Sequence, residues 1–367
     1  MLPGMYLRRS VLRHNVLCLR PPASDRTQCR GPQRCPNTRS LDHSSANIKT
    51  TGSNAKFISE DNNIMVLDDG RKLGYSVYGA REGYSVFWFH GWPGSRLRAK
   101  ANLLRCGSKL NIRLIAVDRP GIGLSDFQPN RTLLDWPKDV QALAAHLGIR
   151  QYKVIGTSGG GPYALACAKA IPPSECSAVG VLAGAAPWDL ENTQYLIRSV
   201  RIIRNIASWS SLLRWLAIYI GVLQKKRYDR IRLLIRQTKL QESRRPSTKT
   251  SRTDLVRLER DVKIQELEKR SFEESVRQGI RGLAEDNRLL TSSWGFELEE
   301  IERNVLLWYG EEDKKTPIRA GYNMASRLPN GKLKAYRGEN HRTISKHLEE
   351  ILKELINHEG VFRDSSG

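Results

Sequence analysis

From Asn63 onward, short apolar runs alternate with turns and with longer amphipathic stretches. Residues 64–67 and 73–78 flank Asp68-Asp69-Gly70, a spacing that predicts a β-hairpin closed by an acidic-glycine turn. Further short strands are predicted at 86–89, 114–117, 153–155, 178–183, 305–309 and 333–336. Helical spacing fills intervals at 95–108, 132–147, 160–170, 317–327 and 343–356. In the second of these, Leu133, Leu134, Val140, Leu143, Ala144 and Leu147 share one face. Strands that are apolar throughout need cover on both sides. The alternation therefore predicts an α/β fold, a mostly parallel sheet with helices on both faces. It stops between Pro187 and Trp294, where the pattern is helical and is broken at Arg244-Arg245-Pro246-Ser247-Thr248. We read 60–186 with 296–360 as the sheet domain, 187–295 as an inserted helical cap, and 1–59 as a basic, disordered tail ending in a polar linker.

Charge changes this picture only locally. The 367-residue chain has 60 Lys and Arg against 38 Asp and Glu, a formal net charge of +22 that on its own suits nucleic acid or an anionic membrane. Residues 1–55 supply +7 of it. Residues 198–257 supply +13, from sixteen Lys and Arg against Asp229, Glu242 and Asp254. The rest is close to neutral, as befits an enzyme body. No basic motif interleaved with aromatics is present, so nucleic acid is not expected as a partner. No apolar window of about 18 residues exists to span a bilayer.

In the tail, Arg8, Arg9, Arg13 and Arg20 alternate with Leu2, Leu7, Val11, Leu12 and Leu17, and no acid precedes Asp25. That composition resembles a mitochondrial-type transit peptide, so an intracellular address is expected, mitochondrial or otherwise cytoplasmic. Cys18, Cys29 and Cys35 also lie in the tail. Cys106, Cys167 and Cys176 are scattered among apolar residues, without a CxxC pair or histidines at ligand spacing. We expect these three to be reduced and buried, and expect no metal.

One segment carries reactive chemistry by its context. Gly156-Thr157-Ser158-Gly159-Gly160 lies between a predicted strand and a helix beginning Gly161-Pro162-Tyr163. A serine on so sharp a strand-to-helix turn is held strained with its hydroxyl presented. Small residues on either side leave it room, and the helix N-terminus adds positive potential. A phosphate loop in the same place would carry a Lys beside the Ser or Thr, and none is here. Such a serine needs a base, and the base needs an orienting carboxylate.

Three more motifs follow predicted strands: His90-Gly91-Trp92-Pro93-Gly94, Asp118-Arg119-Pro120-Gly121-Ile122-Gly123-Leu124-Ser125, and Gly310-Glu311-Glu312-Asp313 running on to Pro317. A final turn, Gly338-Glu339-Asn340-His341, precedes the last helix. With these in order, the chain resembles the α/β-hydrolase superfamily over roughly 60–186 and 296–357. The resemblance implies Ser158 as nucleophile, His341 as base in preference to His347, and Asp313 as acid in preference to Glu311 or Glu312. Asp189 stands at the alternative acid position used by some members. It further implies an oxyanion hole from the backbone N–H groups of Trp92 and Gly159, and no cofactor. Asp118 and Arg119 are expected to brace the floor of the site, His90 to be structural, and His146 and His358 to have surface roles on helices. Epoxide hydrolases and dehalogenases of this type carry an aspartate where Ser158 stands, so carboxylate alkylation is disfavoured.

The expected activity is therefore a serine hydrolase acting on small carboxylic esters with an apolar acyl portion. The same residues would serve acyl transfer, C–C hydrolysis or cofactor-free peroxidation, and a non-catalytic ligand receptor of this fold is the remaining alternative. In the cap, Trp209, Leu212, Leu213, Trp215, Leu216, Ile218, Tyr219 and Ile220 predict a helix apolar on nearly all sides. We expect it to be buried between sheet and cap; the alternatives are that it lines an acyl pocket or touches a bilayer. Arg198, Arg201 and Arg204 before it and Lys225, Lys226 and Arg227 after it would suit anionic headgroups.

Overall fold

Eight strands form one sheet in the order β1-β2-β4-β3-β5-β6-β7-β8 in this computed structural model, which describes residues 57–106, 110–187, 211–245 and 251–358. The strands are β1 (Phe57–Val66), β2 (Lys72–Ala80), β3 (Tyr84–Phe89), β4 (Ile112–Val117), β5 (Tyr152–Thr157), β6 (Cys176–Leu182), β7 (Val305–Gly310) and β8 (Gly331–Tyr336). β2 runs antiparallel to both β1 and β4, and β3 to β8 are parallel. Helices α1 (Arg98–Cys106), α2 (Trp136–His146), α3 (Gly161–Ala170), α7 (Ile318–Arg327) and α8 (Leu348–Asn357) cover the sheet. Between β6 and β7 come three more: α4 (Ser211–Ser243), α5 (Arg252–Ser275) and α6 (Arg281–Leu290).

The wholly apolar strands are explained by cover on both faces. Phe87, Phe89, Val154, Leu307 and Tyr309 pack with Trp136 and Leu143 of α2 and Leu165 of α3. Their neighbours Val86, Trp88, Ile155, Leu306 and Trp308 point the other way, onto Leu103 of α1 and Ile351 and Leu355 of α8. Each fully buried large side chain of this kind contributes about 1.5–3 kcal/mol over exposure. Cys167 and Cys176 are free and buried, and burial raises both thiols, that of Cys176 to about 11. The tail cysteines, and with them the transit-peptide reading, lie outside the described residues.

Three sequence expectations need correction. β1 begins at Phe57, not beyond residue 60: Phe57, Ile58 and Ser59 pair with Ala80, Gly79 and Tyr78. A register shift between Glu60 and Asn63 hides this part of the strand, because the polar Asp61 and Asn62 interrupt its alternation. The stretches 132–147 and 343–356 each open with a 3₁₀ turn before the α-helix starts. Most important, α4 is not buried between sheet and cap. Ile218 and Val222 are buried, but Leu216 is 53% exposed, Tyr219 51%, Ile220 45% and Leu223 49%. Among the described residues, the buried edge of α4 packs against Ile122 and Trp92 of the sheet domain, Phe272 of α5 and Leu283 of α6. A long helix with a single packed edge leaves its remaining apolar residues in solvent, whatever their number.

Candidate active site

All the motif residues converge at the carboxyl ends of the parallel strands, where α/β sheets hold their ligands. Ser158 follows β5 directly, and its φ of +52° lies in the left-handed region that side chains other than glycine rarely adopt. Two glycines make the turn feasible. A Cβ on Gly156 would meet the Gly160 carbonyl oxygen at 2.2 Å, and one on Gly160 would meet that of Phe89 at 2.4 Å. The strain is fixed by α3, in which residues 161 to 168 are all buried.

Ser158, His341 and Asp313, far apart in sequence, meet here. The Ser158 hydroxyl faces His341 Nε2 at 3.0 Å, and His341 Nδ1 donates to Asp313 Oδ2 at 2.7 Å. The Asp313 side chain is fully buried, while His341 remains 18% exposed. Burial alone would raise the Asp313 carboxyl, but hydrogen bonds from His341 and from the Thr316 and Lys315 amides outweigh it and hold the group below its ordinary value. Glu311 and Glu312 are exposed and outside this chain of contacts. Asp189 lies outside the described residues. His347 lies in the 3₁₀ turn before α8, stacks on Tyr336 and faces Glu339 at 3.1 Å, so it is held by the surface rather than directed at solvent. His146 is exposed at the end of α2, and His358 follows α8 rather than lying in it.

Sequence reasoning missed Thr316. Its hydroxyl lies 2.8 Å from Asp313 Oδ2, 3.0 Å from the Ala183 carbonyl oxygen and 3.1 Å from His341 Nδ1. The residue types between Asp313 and Pro317 gave no signal, since only the turn geometry brings Thr316 back. Replacing Thr316 with valine is expected to lower kcat about tenfold while KM holds, with Thr316→Ser restoring it. Steady-state kinetics on a short soluble ester checks this.

The turn after β3 lies against the serine. A Cβ on Gly91 would come within 3.1 Å of Ser158 Cβ, and one on Gly159 within 3.1 Å of the Trp92 backbone nitrogen. The backbones of Trp92 and Gly159 are therefore adjacent beside Ser158. Trp92 is fixed by its indole N–H, which donates to the Leu283 carbonyl of α6 at 3.0 Å. Below, Arg119 donates to the His90 carbonyl and pairs with Asp286 of α6 at 2.7 Å. Arg131 reaches the same carboxylate, and Tyr163 donates to it at 2.8 Å. Asp286 is fully buried. Burial would raise its carboxyl, yet Arg119 and then Arg131 hold it well below the carboxylate range. His90, also fully buried, is driven down to about 3 by burial and by Arg119, so it stays neutral and structural. Asp118 accepts from the Arg96 backbone and side chain. Both motif residues, Asp118 and Arg119, thus brace the floor.

Above the serine opens a cavity of about 610 Å³. Trp92, Leu182, Ile344 and Leu348 give it apolar wall. The cap contributes Gly221, Gln224, Lys225, Tyr228 and Asp229 of α4 and Glu268 of α5. The described apolar residues 215–220, offered by the sequence as an acyl lining, do not reach it.

A family model described as alpha/beta hydrolase fold matches residues 84–347. The proline iminopeptidase of Xylella fastidiosa (strain 9a5c) is 32% identical over 115 residues, 30% of this chain and 36% of that protein. The non-heme chloroperoxidase of Streptomyces lividans is 38% identical over 121 residues, 32% of this chain and 44% of that protein. The chain thus matches less than half the length of these curated relatives. Among solved structures, the esterase EaEST from Exiguobacterium antarcticum is similar with a TM-score of 0.55 at 17% identity, covering 80% of this chain and 97% of that one. The bromoperoxidase from Bacillus anthracis gives 0.54 at 18%, covering 81% and 100%. At such identity the structural likeness speaks for the fold alone. Together with the strand order and the helices on both faces, the match over residues 84–347 shows that this chain belongs to the alpha/beta hydrolase fold family.

Proposed function

We propose that this protein is a serine hydrolase that cleaves carboxylic esters through an acyl-enzyme. The observation that carries this is the continuous chain from Ser158 Oγ to His341 at 3.0 Å and on to Asp313 at 2.7 Å. Ser158 Oγ bonds the acyl carbon as His341 Nε2 takes its proton. The tetrahedral oxyanion then rests on the backbone N–H groups of Trp92 and Gly159, each such donor being worth about 3 kcal/mol to the transition state. The ester C–O bond breaks, the alcohol leaves with the proton from His341, and water repeats the sequence to free the acid. Asp313 holds the imidazole in the tautomer that accepts from serine and stabilises the imidazolium. Among these residues no step needs a metal or a cofactor. The test is covalent labelling by a fluorophosphonate probe, followed by a panel of esters of increasing acyl length. Labelling at Ser158 with ester turnover supports the reading. A folded protein that binds esters and never turns them over replaces it with the receptor reading.

A second feature bears on where the enzyme works. The exposed residues Leu216, Tyr219, Ile220 and Leu223 on α4 are followed on the helix by exposed Lys226, Arg227 and Arg230. This combination of apolar and basic exposure suits an anionic bilayer surface, each basic residue near such a surface adding about 1 kcal/mol. No helix among the described residues is long and apolar enough to cross a membrane. We therefore propose peripheral contact through α4. Co-sedimentation with phosphatidylserine-containing vesicles at low salt is expected, with loss on Leu216→Asp/Ile220→Asp. Wild-type protein that ignores these vesicles removes the proposal.

A further inference from the structure

Beside the cavity over Ser158, and sharing Arg105, Glu268, Arg342 and Ser345 with it, lies a second concavity of about 390 Å³. Its walls carry Arg232 and Arg236 from α4, Arg257 and Arg260 from α5, and Lys346. Two carboxylates stand among these cations, and both are engaged. Glu268 accepts from Arg105 at 2.5 Å and lies 3.1 Å from both Arg98 and Arg342. Asp261 lies 3.9 Å from Arg236. Lys346 reaches Glu339 at 3.7 Å. Arg232 stands near enough to Glu268 to help lower its carboxyl, while Arg257 and Arg260 make no ion pair with a carboxylate among the described residues.

Several arginines lining one concavity concentrate positive charge there, and an anion seated among them would relieve their mutual repulsion. Arginine is also the side chain whose planar fork matches phosphate oxygens. Arg342 follows His341 in the chain and lines both spaces, so the basic trough lies next to the cavity over the reacting centre. At the cavity wall Lys315 adds to the same field. Loss of water around its ammonium, reinforced by Lys225 and Arg98, holds it below the ordinary lysine value despite Asp313 and Glu268.

Resting on the serine-hydrolase reading, we propose that the substrates are acyl esters whose alcohol portion bears a phosphate group. The acyl chain lies along Trp92, Leu182, Ile344 and Leu348, and the phosphate sits in the arginine trough. Ser158 Oγ takes the acyl group, the phosphate-bearing alcohol departs with the proton from His341, and its phosphate ester bond stays intact. Water then releases the acid.

The test compares 1-hexanoylglycerol 3-phosphate with 1-hexanoylglycerol, a pair that differs only in the phosphate. Wild-type protein is expected to favour the phosphorylated ester by about tenfold or more in kcat/KM, and Arg257→Ala/Arg260→Ala to reduce that ratio about tenfold. Both substitutions replace exposed side chains, and thermal melting verifies that the double variant folds. Calorimetric titration of Ser158→Ala protein with the same pair reads the trough without turnover. Equal turnover and equal binding of the two esters overturn the proposal while leaving the serine hydrolase standing. Tighter binding of the phosphorylated ester, with neither ester hydrolysed by wild-type protein, supports the trough while overturning the hydrolase. The source of the phosphate is read with long-chain 1-oleoylglycerol 3-phosphate in phosphatidylcholine vesicles. Turnover lost in Leu216→Asp/Ile220→Asp marks a lipid headgroup, and turnover retained marks a soluble ester, the trough being supported either way.

Discussion

Alanine in place of Ser158 is expected to abolish fluorophosphonate labelling and to reduce ester turnover by about four to six orders of magnitude. A serine hydroxyl is a poor nucleophile near neutral pH, and the strained turn at Ser158 only positions it. His341→Ala and Asp313→Asn are expected to do much of the same damage. The three side chains act in series, through contacts of 3.0 and 2.7 Å, so a double variant should be hardly worse than the worse single one. Asp313, held below the ordinary carboxylate value by His341 and the Thr316 and Lys315 amides, keeps its charge beside the imidazole near neutrality. Rates of folded variants on a short soluble ester decide the matter. A folded Ser158→Ala protein with wild-type turnover would sink the assignment.

The second large effect concerns stability. Asp286→Ala leaves Arg119 and Arg131 buried without their carboxylate, and is expected to cost about 3–5 kcal/mol. Chemical denaturation at pH 7 measures it. The pH dependence has a definite sign. The folded carboxyl lies below its unfolded value, so its contribution is fully present above the ordinary Asp pKa of about 3.9 and is lost as pH falls through the folded value. The gap between wild type and Asp286→Ala should therefore be full at pH 7 and should shrink only in strong acid. A gap that closes on raising the pH would contradict the pairing.

What was legible in the sequence was what is local. The Ser158 elbow announces itself because Gly156 and Gly160 must be small where carbonyl oxygens approach. Asp313 and His341 each sit just past a strand, where a short loop leaves little freedom. Asp286 was illegible for the opposite reason. It lies 167 positions from Arg119 on an otherwise amphipathic helix, where an acid reads as solvated surface. The α4 pattern misled in another way, because apolar residues at helical spacing tell of a face without telling whether anything covers it. Ile218 and Val222 are covered; Leu216 and Ile220 are not. The arginine trough is assembled from α4, α5 and the turn after His341, and no single stretch of sequence contains it.

The way α6 meets the core has a practical corollary for anyone recombining such enzymes. Gly282 approaches Gly121 so closely that a Cβ on it would lie 2.1 Å from the Gly121 oxygen, and Leu283 receives the indole proton of Trp92. The boundary at which a chimera exchanges one lid for another therefore belongs before Arg281, not at β7. A graft that carried α6 away would take with it the carbonyl that anchors the Trp92 indole and the carboxylate that pairs Arg119, and the recipient would inherit a new roof over an unbraced floor.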